Sequence, residues 1–217
     1  HAVLVQTEFE TLVLGLPRSP GGTRPDEKRV AAARRAHFKR HGAKRRQALE
    51  RWFPEEAGRL APPFDALECQ IETLAWSRDL HTEWAWIAGV SAAVWGLLGV
   101  GVAMQQGLSL AAYLIGIFLP SVSAFLDVAD RVQAHLDCYR RTDSTLSNAL
   151  VMWDHGIDQR SLDVASCLTI EDALVNIRRI DADVPDLYYK LRRNSFEESM
   201  KDAAAARVAE AAAVGLT

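Results

Sequence analysis

The sequence predicts an all-α protein in which a transmembrane helical hairpin carries a helical cytoplasmic domain built from both flanks. The main observation is an uncharged stretch. No Asp, Glu, Lys or Arg occurs in the 43 residues from Trp84 to Leu126, although 24% of the 217 residues are charged. The second observation is that apolar residues after this stretch recur every three or four positions, which is helical spacing.

The uncharged stretch divides into two segments long enough to cross a bilayer. A membrane-spanning helix needs about 20 mostly apolar residues, and Trp84–Met104 supplies 21 while Leu108–Leu126 supplies 19. Gln105–Gly107 between them forms a polar turn. The alternative is a pair of buried helices in a soluble protein, but such helices normally keep a polar face because a chain of this size cannot enclose them all round. We therefore interpret the stretch as a membrane hairpin.

The charge distribution predicts the orientation of this hairpin. Of the 25 Lys and Arg residues, 13 lie between Arg18 and Arg59, and the turn contains none. Trp84 and Trp86 stand where the first span begins, at the level that indole rings favour. By the positive-inside rule both flanks are cytoplasmic. The predicted organisation is a cytoplasmic helical region (1–83), the transmembrane hairpin (84–126) and a second cytoplasmic helical region continuing from the second span (127–217).

Small residues recur every four positions in both spans. Such rows let helices approach closely in lipid. We expect the rows to contact each other, other spans or other copies of the chain; the alternative is that Gly and Ala are simply common in membrane helices. The predicted helix-packing residues are Ala85, Gly89, Ala93, Gly96, Ala112, Gly116, Pro120 and Ala124.

Proline and polar residues predict where the flanking helices begin. Pro62 and Pro63 are expected to open a helix leading into the first span, and an amphipathic helix continuing from the second span is expected to pack on it. Thr169 is predicted as the N-cap of the next helix, and Pro185 begins the last one. Its Ala-rich end, residues 203–213, is expected to extend and fray.

A basic segment is the main charge feature outside the hairpin. Between Arg24 and Arg51 it carries 11 basic and 3 acidic residues. Three interpretations stay open: a solvated face that follows the positive-inside rule, a surface on anionic headgroups, or a site for a phosphate-bearing ligand. A nucleic-acid polymer is not expected, because interleaved aromatic residues are lacking. The ligand-binding candidates are Arg24, Arg34 and Arg35, with Trp153 and His155 from a polar–aromatic cluster for which helix-end packing is the alternative.

The sequence predicts neither a metal site nor a catalytic constellation. His37 and His41 have a spacing that can hold a metal, but their basic neighbours would repel a cation. Nucleophile-elbow, Walker and paired-carboxylate motifs are lacking. We expect no enzyme activity and no cofactor. Three widely spaced cysteines fit reduced thiols rather than a disulfide framework or a zinc site: Cys69, Cys138 and Cys167.

Four segments resemble one family, in the family's order and across most of the chain. They are TEFETLVLGLPRSPGGTRPDEKRV (Thr7–Val30), LERWFP (Leu49–Pro54), CQIETLAWSRDLHTEWAWI (Cys69–Ile87) and VPDLYYKLRRNSFEESM (Val184–Met200). These segments are similar to those of the SMODS-associating four-transmembrane effectors, pore-forming proteins of bacterial cyclic-oligonucleotide anti-phage (CBASS) systems. Family members have four spans, whereas this sequence has two, so the pore that the resemblance implies depends on a further hairpin before His1.

The resemblance implies a homo-oligomeric effector in the bacterial inner membrane, in contact with membrane lipids. It would stay silent until a cGAS/DncV-like nucleotidyltransferase makes a cyclic oligonucleotide, and would then assemble or open, permeabilise the membrane and cause abortive infection. The ligand must bind the assembling state more tightly than the silent one. The alternative from another class is a non-conducting membrane-anchored scaffold or receptor component with a basic helical cytoplasmic domain.

Overall fold

The computed structural model describes residues 12–17, 26–28, 30–32, 35, 55–180 and 182–217. Helices account for the regular structure of these ranges, and no strand occurs in them, which confirms the all-α prediction. A short 3-10 turn precedes the first long helix, and a π-helical turn, Leu114–Phe118, joins the second helix to the third. The helices are α1 (Phe64–Gln105), α2 (Leu110–Tyr113), α3 (Leu119–Gln159), α4 (Val164–Ile180) and α5 (Asp186–Ala213).

The chain reverses where the polar trio predicts a turn. α1 ends at Gln105, and Gly107 takes a φ of 64°, a left-handed conformation that glycine adopts without strain. The backbone N–H of Leu108 donates to the carbonyl of Ala103 at 3.0 Å, which satisfies one of the free carbonyls at the end of the helix. Two apolar helices therefore leave this turn side by side.

The returning helix is locally widened before its proline. Pro120 has no N–H to donate to the carbonyl of Gly116, and the π-helical turn lies directly before it. Such turns accommodate an interruption of the helical hydrogen-bond ladder. The hydroxyl of Ser121 donates to the carbonyl of Ile117 at 2.7 Å. The second span is thus continuous but irregular near its middle.

The apolar hairpin, Trp84–Leu126, exposes most of its surface. Two helices of the described chain are long and apolar enough to cross a membrane. Only 6% and 0% of their most apolar stretches of 18 residues is buried. The core helix of a soluble protein would be mostly buried, so this exposure favours the membrane interpretation over the soluble alternative. Large exposed side chains of the hairpin include Trp86, Trp95, Leu97, Met104, Ile115 and Leu119.

The remaining parts of the long helices pack into a helical bundle. We use "the bundle" for α1 up to Glu83, α3 from Asp127 onward, α4 and α5. The predicted packing of the helix after the second span on the helix before the first is confirmed: the ring of Phe64 stands edge-on to Trp153 with centroids 5.7 Å apart. Both α1 and α3 run unbroken from the bundle into the hairpin. The buried core includes Leu67, Ile71, Leu74, Leu146, Ala149, Leu174 and Val208.

The predicted N-cap at Thr169 is wrong. α4 begins at Val164, where the carboxylate of Asp163 accepts a hydrogen bond from the backbone N–H of Ala165 at 3.0 Å. Thr169 lies inside the helix, and its hydroxyl donates to the Ala165 carbonyl at 2.9 Å. Asp163 therefore supplies the acceptor that the free N–H groups of the first turn need, and it does so more than one turn earlier.

The Ala-rich end extends α5 to Ala213 as expected, but the expectation that it frays is wrong. Ala204 and Ala211 are fully buried, and the carbonyl of Leu216 accepts a hydrogen bond from the backbone N–H of Ala61 at 3.0 Å. Small side chains let α5 approach the bundle core closely, so alanine serves here as a packing residue. The carboxyl end of the chain is consequently fastened to the start of α1.

Candidate functional site at the end of the bundle next to the hairpin

The predicted small residues differ in their exposure. Ala85 is buried, and Gly89 and Gly96 are half-buried. A Cβ added at Gly96 would make an ordinary van der Waals contact, 3.5 Å, with the ring of Phe125, so this position faces the second helix of the hairpin. Five other members of the set are exposed: Ala93, Ala112, Gly116, Pro120 and Ala124. Their role in packing stays a prediction, with another copy or another span as the partner.

A three-residue cluster fastens α5 to α1 directly below the hairpin. Arg192 donates from Nε to Oε2 of Glu83 at 2.7 Å and pairs with Oε1 through its second nitrogen. The hydroxyl of Tyr188 donates to the same Oε2 at 2.5 Å, and its ring lies 5.2 Å from that of Trp84. We call Glu83, Tyr188 and Arg192 the α5 clamp. Two turns further from the hairpin, an aromatic group continues the contact: Trp76, Tyr189 and Phe196.

The electrostatics of the clamp keep its carboxylate charged. Burial acts to raise the pKa of Glu83, but the hydrogen bonds from Arg192 and Tyr188 and the Arg192 charge outweigh it and hold the pKa below its ordinary value. Burial and the Glu83 carboxylate raise the pKa of Tyr188 to about 12. At neutral pH the phenol therefore remains a hydrogen-bond donor, and the bidentate ion pair is fully formed.

A buried histidine pair lies at the same end of the bundle. Nδ1 of His81 lies 2.9 Å from Nδ1 of His135, and both side chains are almost fully buried. A hydrogen bond between these atoms requires that one nitrogen carries the proton and the other accepts it. His81 lies three residues before the uncharged stretch on α1, and His135 lies nine residues after it on α3, so the pair couples the two helices within the bundle, near the hairpin.

Two buried carboxylates in α1 face α5 deeper in the bundle. Arg207 forms a bidentate ion pair with Glu68, with Nη2 donating to Oε1 at 2.8 Å. The Glu72 side chain is 1% exposed, and the charged groups that act on it include the Glu68 carboxylate and Arg207. Burial, followed by the neighbouring Glu68 carboxylate, raises the pKa of Glu72 to about 9. Glu72 is therefore protonated in the folded protein at neutral pH.

The three cysteines are buried thiols, which agrees with the reduced state that the sequence predicts. Burial raises the pKa of Cys167 to about 11 and that of Cys69 well above its usual range. These thiols therefore stay protonated and unreactive. The described part of the chain contains no group of three or more His, Cys, Asp or Glu side chains suited to a metal ion. His37 and His41 lie outside the described residues.

The candidate ligand residues fall into three situations. Arg24 and Arg34 lie outside the described residues, whereas Arg35 and His155 are exposed. Trp153 is buried against Phe64, and its indole N–H donates to Oε2 of Glu210 at 2.9 Å. The face and the polar edge of this ring are thus occupied by protein, which favours the helix-end packing alternative for Trp153. Ligand binding by the other four residues stays a prediction.

Sequence reasoning missed the charged residues that fasten α5 to α1. One signal was present: Glu68 and Glu72 stand four residues apart within the segment that carries the apolar face of α1, and buried carboxylates need partners. The partner of Glu68 is 139 positions away, at Arg207, and that of Glu83 is 109 positions away, at Arg192. Spacing within one helix says nothing about partners at such distances.

The fold and this junction define a class of protein: a helical membrane protein whose exposed apolar hairpin continues without a break into a charged helical bundle. The chain belongs to the SMODS-associating 4TM effector domain family, whose family model matches residues 1–207. Comparison with curated proteins and with solved structures gives no significant match. Membership confirms the resemblance described above and makes the chain an effector domain linked to SMODS-type signalling systems.

Proposed function

We propose that this protein is the membrane effector of a bacterial cyclic-oligonucleotide anti-phage system. On signal it oligomerises in the inner membrane, permeabilises it and causes abortive infection. The observation that carries the proposal is the exposed, uncharged hairpin in a member of an effector family. The signal is a cyclic oligonucleotide made by a cGAS/DncV-like nucleotidyltransferase, and the basic segment around Arg24, Arg34 and Arg35 offers the charge that its phosphates require.

Oligomerisation is required because one hairpin encloses no pore. The exposed small residues of the second span supply a face on which a helix of another copy can approach closely. Since no Asp, Glu, Lys or Arg lies between Trp84 and Leu126, the conducting path would be lined by hydroxyl groups, backbone or apolar side chains that gate by dewetting. The irregular turn before Pro120 is the point at which the second span bends most easily.

Ion leakage from liposomes tests the proposal. Full-length protein is reconstituted, insertion and helicity are verified, and leakage is measured with a panel of cyclic oligonucleotides and without ligand. We expect leakage with one ligand only. Gly116→Leu, which blocks the exposed small-residue face, should abolish leakage. The matched control Leu119→Ile changes a lipid-facing residue of the same helix and should leak like the wild type.

The outcomes separate the two functional classes. Absence of leakage with every ligand, in protein shown to be inserted and folded, would favour the non-conducting scaffold. Ligand-dependent leakage that survives Gly116→Leu would support the pore but contradict the proposed assembly face.

A further inference from the structure

The start of α5 carries two exposed leucines that pack on nothing in the described structure. Leu187 and Leu191 are each 71% exposed, and a spacing of four residues places them on the same face of the helix. The neighbouring residues Tyr188 and Arg192 point toward α1, where they form the clamp with Glu83. The leucine pair therefore lies beside the clamp, on a part of α5 directed away from the bundle core.

The contacts of α5 determine how far this end reaches. Tyr188 meets α1 at Trp84, Phe196 meets it at Trp76, and Arg207 meets it at Glu68. α5 therefore runs antiparallel to α1, and its first turn points toward the hairpin. Leu187 precedes Tyr188, so it lies at or beyond the level of Trp84, where the uncharged stretch begins.

Bilayer dimensions place both leucines within the lipid interface. A helix rises about 1.5 Å per residue, so Leu191 lies about 6 Å further from the hairpin than Leu187. The headgroup layer on each side of the hydrocarbon core is about 5–7 Å thick. If Trp84 marks the hydrocarbon boundary, Leu187 stands at that boundary and Leu191 within the headgroup layer.

We propose that the first turn of α5 is a second, non-spanning membrane contact, in which Leu187 and Leu191 insert into the phospholipid interface beside the hairpin. The surface is continuous with the apolar hairpin through the Tyr188–Trp84 contact. The segment around the pair carries Asp183 and Asp186 against Lys190, so anionic lipid would not attract it and the contact is apolar. This inference rests on the hairpin lying in a bilayer, as proposed above.

A membrane contact at this position has a structural consequence. The α5 clamp joins the contact to α1, and the Glu68–Arg207 pair joins the far end of α5 to the bundle core. Movement of the bundle relative to the bilayer would therefore exert a force on α5 and α1 together. Whether the first turn of α5 contacts lipid thus depends on the distance between the bundle and the membrane.

Spin-label accessibility in vesicles tests the contact. Nitroxide is attached at Leu187→Cys, Leu191→Cys and two reference positions of the full-length protein, in phosphatidylethanolamine–phosphatidylglycerol vesicles. Wild-type protein, whose three cysteines are buried, is the control for labelling of the native thiols. The references are Leu97→Cys, 71% exposed in the hairpin, and Val151→Cys, 66% exposed on α3 and 25 residues beyond the hairpin. Relaxation by oxygen, which concentrates in lipid, is compared with relaxation by a water-soluble nickel chelate.

We expect a several-fold higher oxygen-to-nickel ratio at position 187 than at position 151, with 191 intermediate and 97 highest. If position 187 behaves like 151 while 97 reports lipid, the inference is overturned and the hairpin is unaffected. If position 97 also behaves like 151, the hairpin itself is not in the bilayer and both proposals fail. Protection of 187 from both reagents would overturn the lipid contact and indicate a protein surface, either a second copy or a partner.

Discussion

Replacing the buried Glu72 by glutamine should stabilise this protein. In the folded state the carboxyl group has a pKa of about 9, against an ordinary value of 4.5, because of burial and the neighbouring Glu68. Between these two pH values the unfolded chain ionises Glu72 while the folded chain keeps it protonated. The folded state therefore binds more protons, and its stability falls as the pH rises. Glu72→Gln keeps the shape and removes the ionisation.

The size of the effect follows from the pKa difference. The contribution of Glu72 is fully present below its unfolded pKa and is lost progressively up to its folded pKa. The free energy of unfolding falls by about 1.4 kcal/mol for each pH unit above the pKa of Glu72 in the unfolded chain. At pH 7 this amounts to a loss of about 3 kcal/mol. For a chain of this length, 1 kcal/mol shifts the melting temperature by about 2–4 °C. Glu72→Gln should therefore raise Tm by about 6–12 °C at neutral pH and have little effect near pH 4.

Thermal unfolding in detergent, followed by circular dichroism from pH 4 to pH 9, measures this effect. Glu68→Gln is the matched control: it changes the same chemical group one turn earlier but breaks the buried pair with Arg207, so it should lower the free energy of unfolding by about 3–5 kcal/mol. A Tm below that of the wild type for Glu72→Gln across the whole range would refute the reasoning, because it would mean that Glu72 is ionised and paired in the folded protein.

Three further substitutions test packing and the clamp. Gly156→Ala should destabilise the bundle by about 1–3 kcal/mol, because the new Cβ would lie 2.9 Å from the ring of Phe64; thermal unfolding checks this. Trp153→Phe loses the hydrogen bond to Glu210 and ring volume, and should cost about 1–3 kcal/mol in the same assay. Glu83→Gln should speed hydrogen exchange in the first turns of α5 without changing exchange in the bundle core. The same faster exchange should appear in the wild-type protein when the pH falls through the lowered Glu83 pKa. The contribution of the ionised Glu83 to stability is fully present above its pKa in the unfolded chain, and it is lost as the pH falls through its pKa in the folded protein.

Matched variants accompany these three tests. Gly89→Ala meets nothing within 4 Å and should leave Tm nearly unchanged; an equal loss at both glycines would contradict the contact with Phe64. Glu197→Gln removes a pair with Arg193 that lies within α5, so exchange at the start of α5 should stay slow. Faster exchange in that variant would show that the clamp does not hold α5. If Trp153→Phe is neutral, the indole hydrogen bond contributes nothing to stability.

The sequence by itself determined the hairpin and the helical character of both flanks. The absence of charge from Trp84 to Leu126 is a property of consecutive residues, and it governs partition into hydrocarbon whatever the rest of the chain does. The turn at Gln105–Gly107 and the helix starts after Pro63 and Pro185 depend on local backbone preferences in the same way. Each of these predictions is confirmed.

Only the tertiary structure decided which faces meet. It set the direction of α5, the packing use of the Ala-rich end, the clamp at Glu83 and the partners of the buried carboxylates. It also showed that Ala85, Gly89 and Gly96 of the first span are buried or half-buried, while Ala93 and the row in the second span are exposed. The physical reason is that burial and ion pairing depend on groups brought together in space from more than 100 positions apart. A helical repeat shows which residues share a face; it does not show what that face touches.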